Sequence, residues 1–198
     1  KLKITRSLIQ VLHDYRNPVG IITKNSMVLR DIDLLSEMAK MDLAQVAISI
    51  TTMDESLRQT MEPRTATAKQ RFKAIEKLSL AGIPVHVMIA PIIPGLNNHE
   101  IVDIVKAAAD HGARSVAYTF ARLNGSVATI FEDWIRKTYP DRADKVLAQI
   151  SAGHGGKLSD NRYGVRMRGE GSQALAIRDL FRMARDKHMA GRSIPEYN

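Results

Sequence analysis

With 198 residues, 44% hydrophobic and 25% charged, the chain has the make-up of one globular unit able to bury about 70% of its unfolded surface, which excludes disordered and fibrous classes. No apolar run approaches the roughly 20 residues that span a bilayer and no basic, apolar leader opens the chain, so a cytoplasmic location with no membrane partner is expected. The absence of cysteine removes disulfides, thiol nucleophiles and thiolate-bound zinc or iron–sulfur clusters from anything these residues do alone, while a net charge of +8 favours anionic partners.

The periodicity over Ser7 to Leu12 predicts an amphipathic helix that ends near Asn17-Pro18. Val19 to Lys24 reads as a first strand, and Asn25 and Ser26 as turn and cap for a helix around Leu29 to Met41. Ala44 to Thr51 is the second strand. After Asp54 a short helix runs to Met61 and breaks at Pro63, and a longer one from Thr67 to Leu80 closes at Ala81-Gly82. A third strand starts at Ile83 and runs to a turn at Pro91 and Pro94-Gly95; a helix over His99 to Asp110 stops at Gly112, and Ser115 to Ala121 is the fourth strand.

From Ser126 the alternation stops. Helices over Val127 to Lys137 and Arg142 to Ser151 flank Tyr139-Pro140-Asp141, a glycine-rich loop follows from Gly153 to Gly171, and Ser172 is expected to cap a last helix over Gln173 to Met189. The chain therefore divides into residues 1–125 and a helical extension over 126–198 with a Gly/Arg-rich loop, whose last 42 residues hold 9 bases against 5 acids. Only 5% of the residues are aromatic, and no zinc-finger or basic-zipper spacing is present, so general anion attraction is favoured over base readout.

Strands and helices that alternate over these lengths imply parallel crossovers, hence an α/β class, either doubly wound or a barrel segment. Val19, Ile21 and Thr23, Val46, Ile48 and Ile50, and Val85, Val87 and Ile89 make a branched face that should meet the helices. The opposite face carries Lys24, Ser49, Thr51, His86 and Ala90 and grows polar toward the strand ends, as expected of a lumen that opens onto a site. The parity of the fourth strand stays open, since Tyr118 and Phe120 share a face with Val116. No G-x-G-x-x-G follows a strand, which weighs against a nucleotide-binding Rossmann sheet.

Several residues carry two readings. Lys24, at a strand end, is a surface lysine or a cation that fixes a carboxylate or forms a Schiff base. Ser49 and Thr51 fill a barrel core or hold a ribose or amino group. Glu62-Pro63-Arg64 is ordinary surface chemistry or a pair of substrate contacts, Glu62 and Arg64. Ala90-Pro91 and the residues to Asn97 make a turn or a flat apolar shelf for a planar ring. Arg166 and Arg168, among glycines, belong to a mobile loop or to an anion site on the substrate. The six histidines stand singly without metal-ligand spacing, and His86 reads as a hydrogen-bonded core residue.

Taken in order, Gly20-Ile21-Ile22-Thr23-Lys24, Ile48-Ser49-Ile50-Thr51-Thr52, Glu62-Pro63-Arg64, Ala81-Gly82-Ile83-Pro84-Val85 and Ala90 to Asn97 resemble the radical SAM superfamily, and within it the DNA repair photolyase-like proteins related to spore photoproduct lyase. The similarity continues through Gly112 to Ser115 and Arg162 to Gly171, so it covers nearly the whole chain. It implies a partial (β/α) barrel of the radical SAM type with four parallel strands here and a C-terminal helical extension. It implies S-adenosylmethionine and a 4Fe-4S cluster as cofactors, the cluster's three cysteines being expected upstream of this chain, which is then a fragment inactive on its own. By the same resemblance Lys24 and Ser49 hold the amino-acid and ribose parts of S-adenosylmethionine, and Ala90 and Pro91 lie near its adenine. The implied activity is reductive cleavage to a 5′-deoxyadenosyl radical, in a lyase-like DNA repair setting. Nucleic acid as substrate and an electron donor such as flavodoxin or ferredoxin are the implied partners. Two other readings compete: a non-radical barrel enzyme that uses Lys24 on a carbonyl or phosphosugar, and a basic nucleic-acid-binding domain.

Overall fold

Local signals set most element ends in the computed structural model, which describes residues 3–198. Helix α1 (Ile4–Asp14) stops before Arg16, whose φ of 51° turns the chain into strand β1 (Val19–Thr23). Asn25 accepts a hydrogen bond from the Met27 amide at 3.0 Å and caps a 3-10 turn (Ser26–Asp31) that leads into α2 (Ile32–Ala39), so the helix predicted from Leu29 begins three residues later. Strand β2 (Ala44–Ser49) precedes α3 (Glu55–Met61), which Asp54 caps through the amides of Ser56 and Leu57. Thr67 and Gln70 close a capping box on α4 (Ala68–Leu80).

Strand β3 (Val85–Ile92) runs on through Pro91, past the turn predicted there, and its pairing with the next strand slips between Ile89 and Ile92. A 3-10 turn (Asn98–Glu100) enters α5 (Ile101–Asp110). Gly112 follows with φ 91°, a left-handed position that suits glycine, and its carbonyl accepts from Ser79 Oγ at 3.1 Å. Strand β4 (Ser115–Phe120), α6 (Ser126–Thr138), α7 (Pro140–Ala152) and α8 (Gly171–His188) complete the chain. Ser172 is not the cap of α8. Glu170 takes the extended N-cap conformation two residues earlier than expected, its amide bound to the Gly153 carbonyl at 2.9 Å and its carboxylate drawn to Arg162 at 2.5 Å.

The four strands are parallel in the order β1-β2-β3-β4. An order that never reverses places all right-handed crossovers on one face, the plan of a barrel segment and not of a doubly wound sheet. That face bears Val46, Ile48, Val85, Val87 and Ile89, all buried, against Leu35, Met38, Ile75, Leu78, Ile104 and Val105 of the helices. Val116, Tyr118 and Phe120 join it, which settles the parity of β4: Tyr118 packs on Phe181 of α8 with ring centroids 4.8 Å apart. A smaller core sits over the strand ends, where Ile93, Leu96 and Leu123 meet Ile135, Val146 and Ile150 of α6 and α7.

The other face stays open. Gly20 and Ile22 are exposed there, and Gln45, Ala47, His86 and Met88 are half-buried. At its N-terminal end the tail crosses it, with Gln45 Nε2 donating to the Pro195 carbonyl at 2.7 Å and Tyr197 lying so near Gly20 that a Cβ there would sit 2.9 Å from the hydroxyl. The loop between α7 and α8 borders β4: the amides of Phe120 and Leu123 donate to the carbonyls of Met167 and Leu158 at 2.8 and 2.9 Å, which covers part of an edge that would otherwise be free to pair.

Candidate functional site

The strand register builds the site. Thr23 pairs with Ile48 and Ser49 with Met88, so Lys24, Ser49 and Ala90 reach the same level at the C-terminal ends of β1, β2 and β3. The Lys24 ammonium spends all three of its N–H bonds inside: on Thr51 Oγ1 at 2.6 Å, on the Ala90 carbonyl at 3.1 Å, and on the carboxylate of Glu62. The Lys24 side chain keeps a third of its surface in contact with solvent.

Glu62 stands in the bend after α3 and is held from three directions. Oε1 accepts from Lys24 and from the Thr51 hydroxyl at 2.8 Å, and Oε2 accepts from Arg71 Nη2 at 3.1 Å. Arg71, only 2% exposed, is itself pinned to the carbonyls of Ala66 and Ser49 at 2.8 Å each and to Thr65 Oγ1 at 2.6 Å. Burial pushes the Glu62 carboxyl upward, but the bonds from Lys24, Thr51 and Arg71 together hold it below the usual carboxylate range. Burial pulls the Lys24 ammonium below its ordinary value against the pull of Glu62. Two cations and one carboxylate leave a surplus positive charge in a partly desolvated pocket, which suits a ligand that brings one more carboxylate.

Ser49 is buried and its hydroxyl makes one long contact, 3.4 Å to the Ala90 carbonyl, so it is the least committed polar group of the cluster. Thr51 is fully buried, with its hydroxyl engaged by Lys24, Glu62 and Ala90. Ala90 and Pro91 are half-buried at the end of β3. The shelf beyond them is fixed by Asn97, whose amide donates to the carbonyls of Thr51 and Pro91 at 2.7 and 3.0 Å and accepts from the Ile93 amide at 2.6 Å. In the sequence alone Arg71 carries no assigned role, and Asn97 marks only the end of the turn or shelf after Ala90-Pro91. Arg71 leaves a signal, since it falls on the stripe Arg71, Ala74, Ile75 and Leu78 that buries α4, where an arginine needs partners.

The remaining predicted residues lie elsewhere. Arg64, two residues past Glu62, is exposed and makes no hydrogen bond among the described residues. His86 is half-buried on the open face, its Nδ1 2.5 Å from Ser115 Oγ, and burial holds it below its ordinary value. Arg166 and Arg168 project from the loop after α7, exposed and with no ion pair among the described residues. Tyr163 beside them, unmarked by sequence reading, is 94% exposed. The base of that loop is ordered by Arg162, which bridges Asp160 at 2.5 Å and Glu170 at 2.5 Å and holds the Asp160 carboxyl down at about 2.

Three comparisons bear on this arrangement. The family profile of the Radical SAM superfamily matches residues 2–108. An uncharacterized protein of Mycobacterium tuberculosis is 30% identical over 126 residues, 63% of this chain and 37% of that protein; one of Methanocaldococcus jannaschii is 27% identical over 139 residues, 70% of this chain and 50% of that protein. Among solved structures, a spore photoproduct lyase variant with bound AdoMet and dinucleoside spore photoproduct superposes with a TM-score of 0.66 at 17% identity, over 94% of this chain and 53% of that one. The fold is thus shared with that enzyme, and the chain spans from about a third to about half the length of these proteins. Among the described residues no helix is long and apolar enough to cross a membrane.

Proposed function

Because the chain belongs to the radical SAM superfamily, we propose that it supplies the cofactor-orienting strands of an enzyme that cleaves S-adenosylmethionine reductively. The observation that carries this reading is the surplus positive charge at Lys24, Glu62 and Arg71 on the strand ends. Lys24 takes the carboxylate of S-adenosylmethionine, Ser49 offers its hydroxyl to the ribose, and Ala90 and Pro91 form the shelf beside the adenine. Thr51, wholly buried, holds Lys24. Bound there, the cofactor would supply radical hydrogen-abstraction chemistry, and these residues would orient it. The chain has no thiolate to ligate a 4Fe-4S cluster, so these residues do not fit that group, and its ligands are assigned to sequence outside residues 1–198.

Tyr163, Arg166 and Arg168 give the substrate side its character. An exposed ring beside two guanidinium groups that make no ion pair among the described residues suits an unstacked base and its phosphates, and the structural neighbour was solved with a dinucleoside lesion. A nucleic-acid substrate and a lyase-like repair reaction, with electrons from a flavodoxin or ferredoxin, are the finer reading.

Calorimetric titration with S-adenosylmethionine tests the core of it. Lys24→Ala should weaken binding by about 1.5–3 kcal/mol, the worth of a charged hydrogen bond; unchanged binding removes Lys24 from the site. After anaerobic reconstitution with iron and sulfide, this chain alone should release no 5′-deoxyadenosine under dithionite, and turnover by it would overthrow the assignment of the cluster ligands. Borohydride trapping of a carbonyl substrate on Lys24 would favour Schiff-base chemistry instead.

A further inference from the structure

The Lys24 ammonium has no free N–H: Thr51, Ala90 and Glu62 take all three. A ligand carboxylate can reach it only by replacing one of them. Replacing the Thr51 hydroxyl or the Ala90 carbonyl would set two carboxylates against one ammonium, whereas replacing Glu62 exchanges like for like. We propose that Glu62 holds the place of the cofactor's carboxylate on Lys24 and gives it up on binding, while Arg71 keeps the displaced Glu62 compensated. The inference rests on the reading above that Lys24 receives the carboxylate of S-adenosylmethionine.

The surroundings suit an exchange. Arg71 is fixed by Ser49, Ala66 and Thr65 independently of Glu62, so it stays where it is when Lys24 changes partner. Glu62 follows the last turn of α3 with φ −133° and ψ 53° and precedes a proline, outside any helix or strand. Its Oε2 already faces Arg71. With the site empty, Glu62 spares a half-buried ammonium the cost of standing unpaired; with the ligand in place, its carboxylate faces Lys24 and Glu62 faces Arg71, so each of the two protein cations keeps one carboxylate. The arrangement also sets specificity. A nucleoside that carries a carboxylate can exchange with Glu62 like for like, whereas one without, the product 5′-deoxyadenosine or the analogue 5′-methylthioadenosine, leaves Lys24 with Glu62 and is held no better than its ring and ribose allow.

The test compares S-adenosylmethionine with 5′-methylthioadenosine, which lacks the carboxylate, by calorimetry on the wild-type chain, Glu62→Gln, Glu62→Asp and Lys24→Ala. Glu62→Gln should tighten S-adenosylmethionine about threefold to tenfold, since a neutral amide competes less for Lys24, and should leave 5′-methylthioadenosine unchanged. Glu62→Asp keeps the charge beside Arg71 but is one methylene too short to hold Lys24, and it should tighten S-adenosylmethionine in the same direction. If Glu62→Gln tightens binding and Glu62→Asp does not, the gain is added positive charge alone and the stand-in role is wrong. If both weaken S-adenosylmethionine, Glu62 positions Lys24 and the proposal fails in the opposite sense. Lys24→Ala separates the two levels: should it leave S-adenosylmethionine binding untouched, the reading of the site itself has failed, whatever Glu62 does.

Discussion

The strand-end cluster and the loop over residues 163–168 hold much the same kinds of side chain and treat them in opposite ways. In the cluster each charged group finds its hydrogen-bond partners inside: Arg71 is 2% exposed with four hydrogen bonds, and Glu62 accepts from three donors. In the loop Tyr163 is almost wholly exposed, and Arg166 and Arg168 stand without partners among the described residues. The difference is one of burial. A desolvated charge costs several kcal/mol unless paired, so the cluster is ordered beforehand and a ligand must exchange with a partner already present. An exposed guanidinium costs nothing to leave free, attracts phosphate over a Debye length of about 8 Å at physiological salt, and is ordered only when the partner arrives.

The sharpest way to break this contrast is to place an unpaired charge where none can be matched. Ile48 is 1% exposed between β1 and β3 on the helix side, and Ile48→Asp should abolish cooperative folding, as read by thermal melting. Next in size, Arg71→Met should cost about 3–5 kcal/mol, because it strands Glu62 with one cation and orphans three acceptors. For a chain of this length that is a fall in Tm of roughly 10 °C. A drop of a degree or two would mean that the cluster is not preorganised. The same carboxylate gives a pH signature. Glu62 is held below its ordinary value of 4.5, so in acid the unfolded chain binds more protons than the native one and stability rises with pH. Its contribution is complete above the ordinary value and is lost as the pH falls through the native one. Urea midpoints at about pH 4 and about pH 7 should therefore differ less in Glu62→Gln than in the wild type.

How much of this the sequence discloses follows from which properties are local. Side-chain alternation is local, so the placement of Lys24 and Ser49 on the face away from the helices and the buried face of Ile48 are legible in strand parity, and the helix expected from Thr67 to Leu80 starts one residue later, at Ala68. The bond of Glu62 to Lys24 is not local: it depends on a bend after α3 folding back over β1, 38 residues away in sequence. An arginine on the stripe that buries α4 signals that it needs partners, but only the fold shows the four acceptors that meet there. The start of α8 is missed for a similar reason, since Ser172 is a fair cap by type but Gly153 and Arg162 have already fixed Glu170 in the N-cap conformation. Exposure is no more local than contact, and Tyr163 goes unmarked because sequence alone does not say that nothing covers it.

The loop side of the contrast is probed by charge, at a smaller cost. Arg166→Gln with Arg168→Gln should leave melting unchanged, weaken single-stranded oligonucleotide binding, and lower the slope of log affinity against log salt by about two units at most. Filter binding over a salt series reads both. An unchanged slope would show that neither guanidinium meets phosphate, and a large fall in Tm would show that the loop is built like the cluster after all.

The smallest expected effect lies inside the cluster itself. Ser49→Ala removes a hydroxyl whose one contact, to the Ala90 carbonyl, is 3.4 Å long, at the limit of a hydrogen bond. That carbonyl keeps Lys24 and Thr51 as neighbours, and the bond from Arg71 goes to the Ser49 main-chain oxygen, which the substitution does not touch. No buried group is orphaned, so the cost should be below about 0.5 kcal/mol and the change in Tm within about 2 °C. Binding of S-adenosylmethionine should fall nonetheless, by about threefold to tenfold, since an uncommitted hydroxyl is the group free to meet the ribose. A melt lowered as far as by Arg71→Met would invert the assigned faces of β2. Unchanged melting with unchanged binding would keep the faces and take Ser49 out of the ligand site.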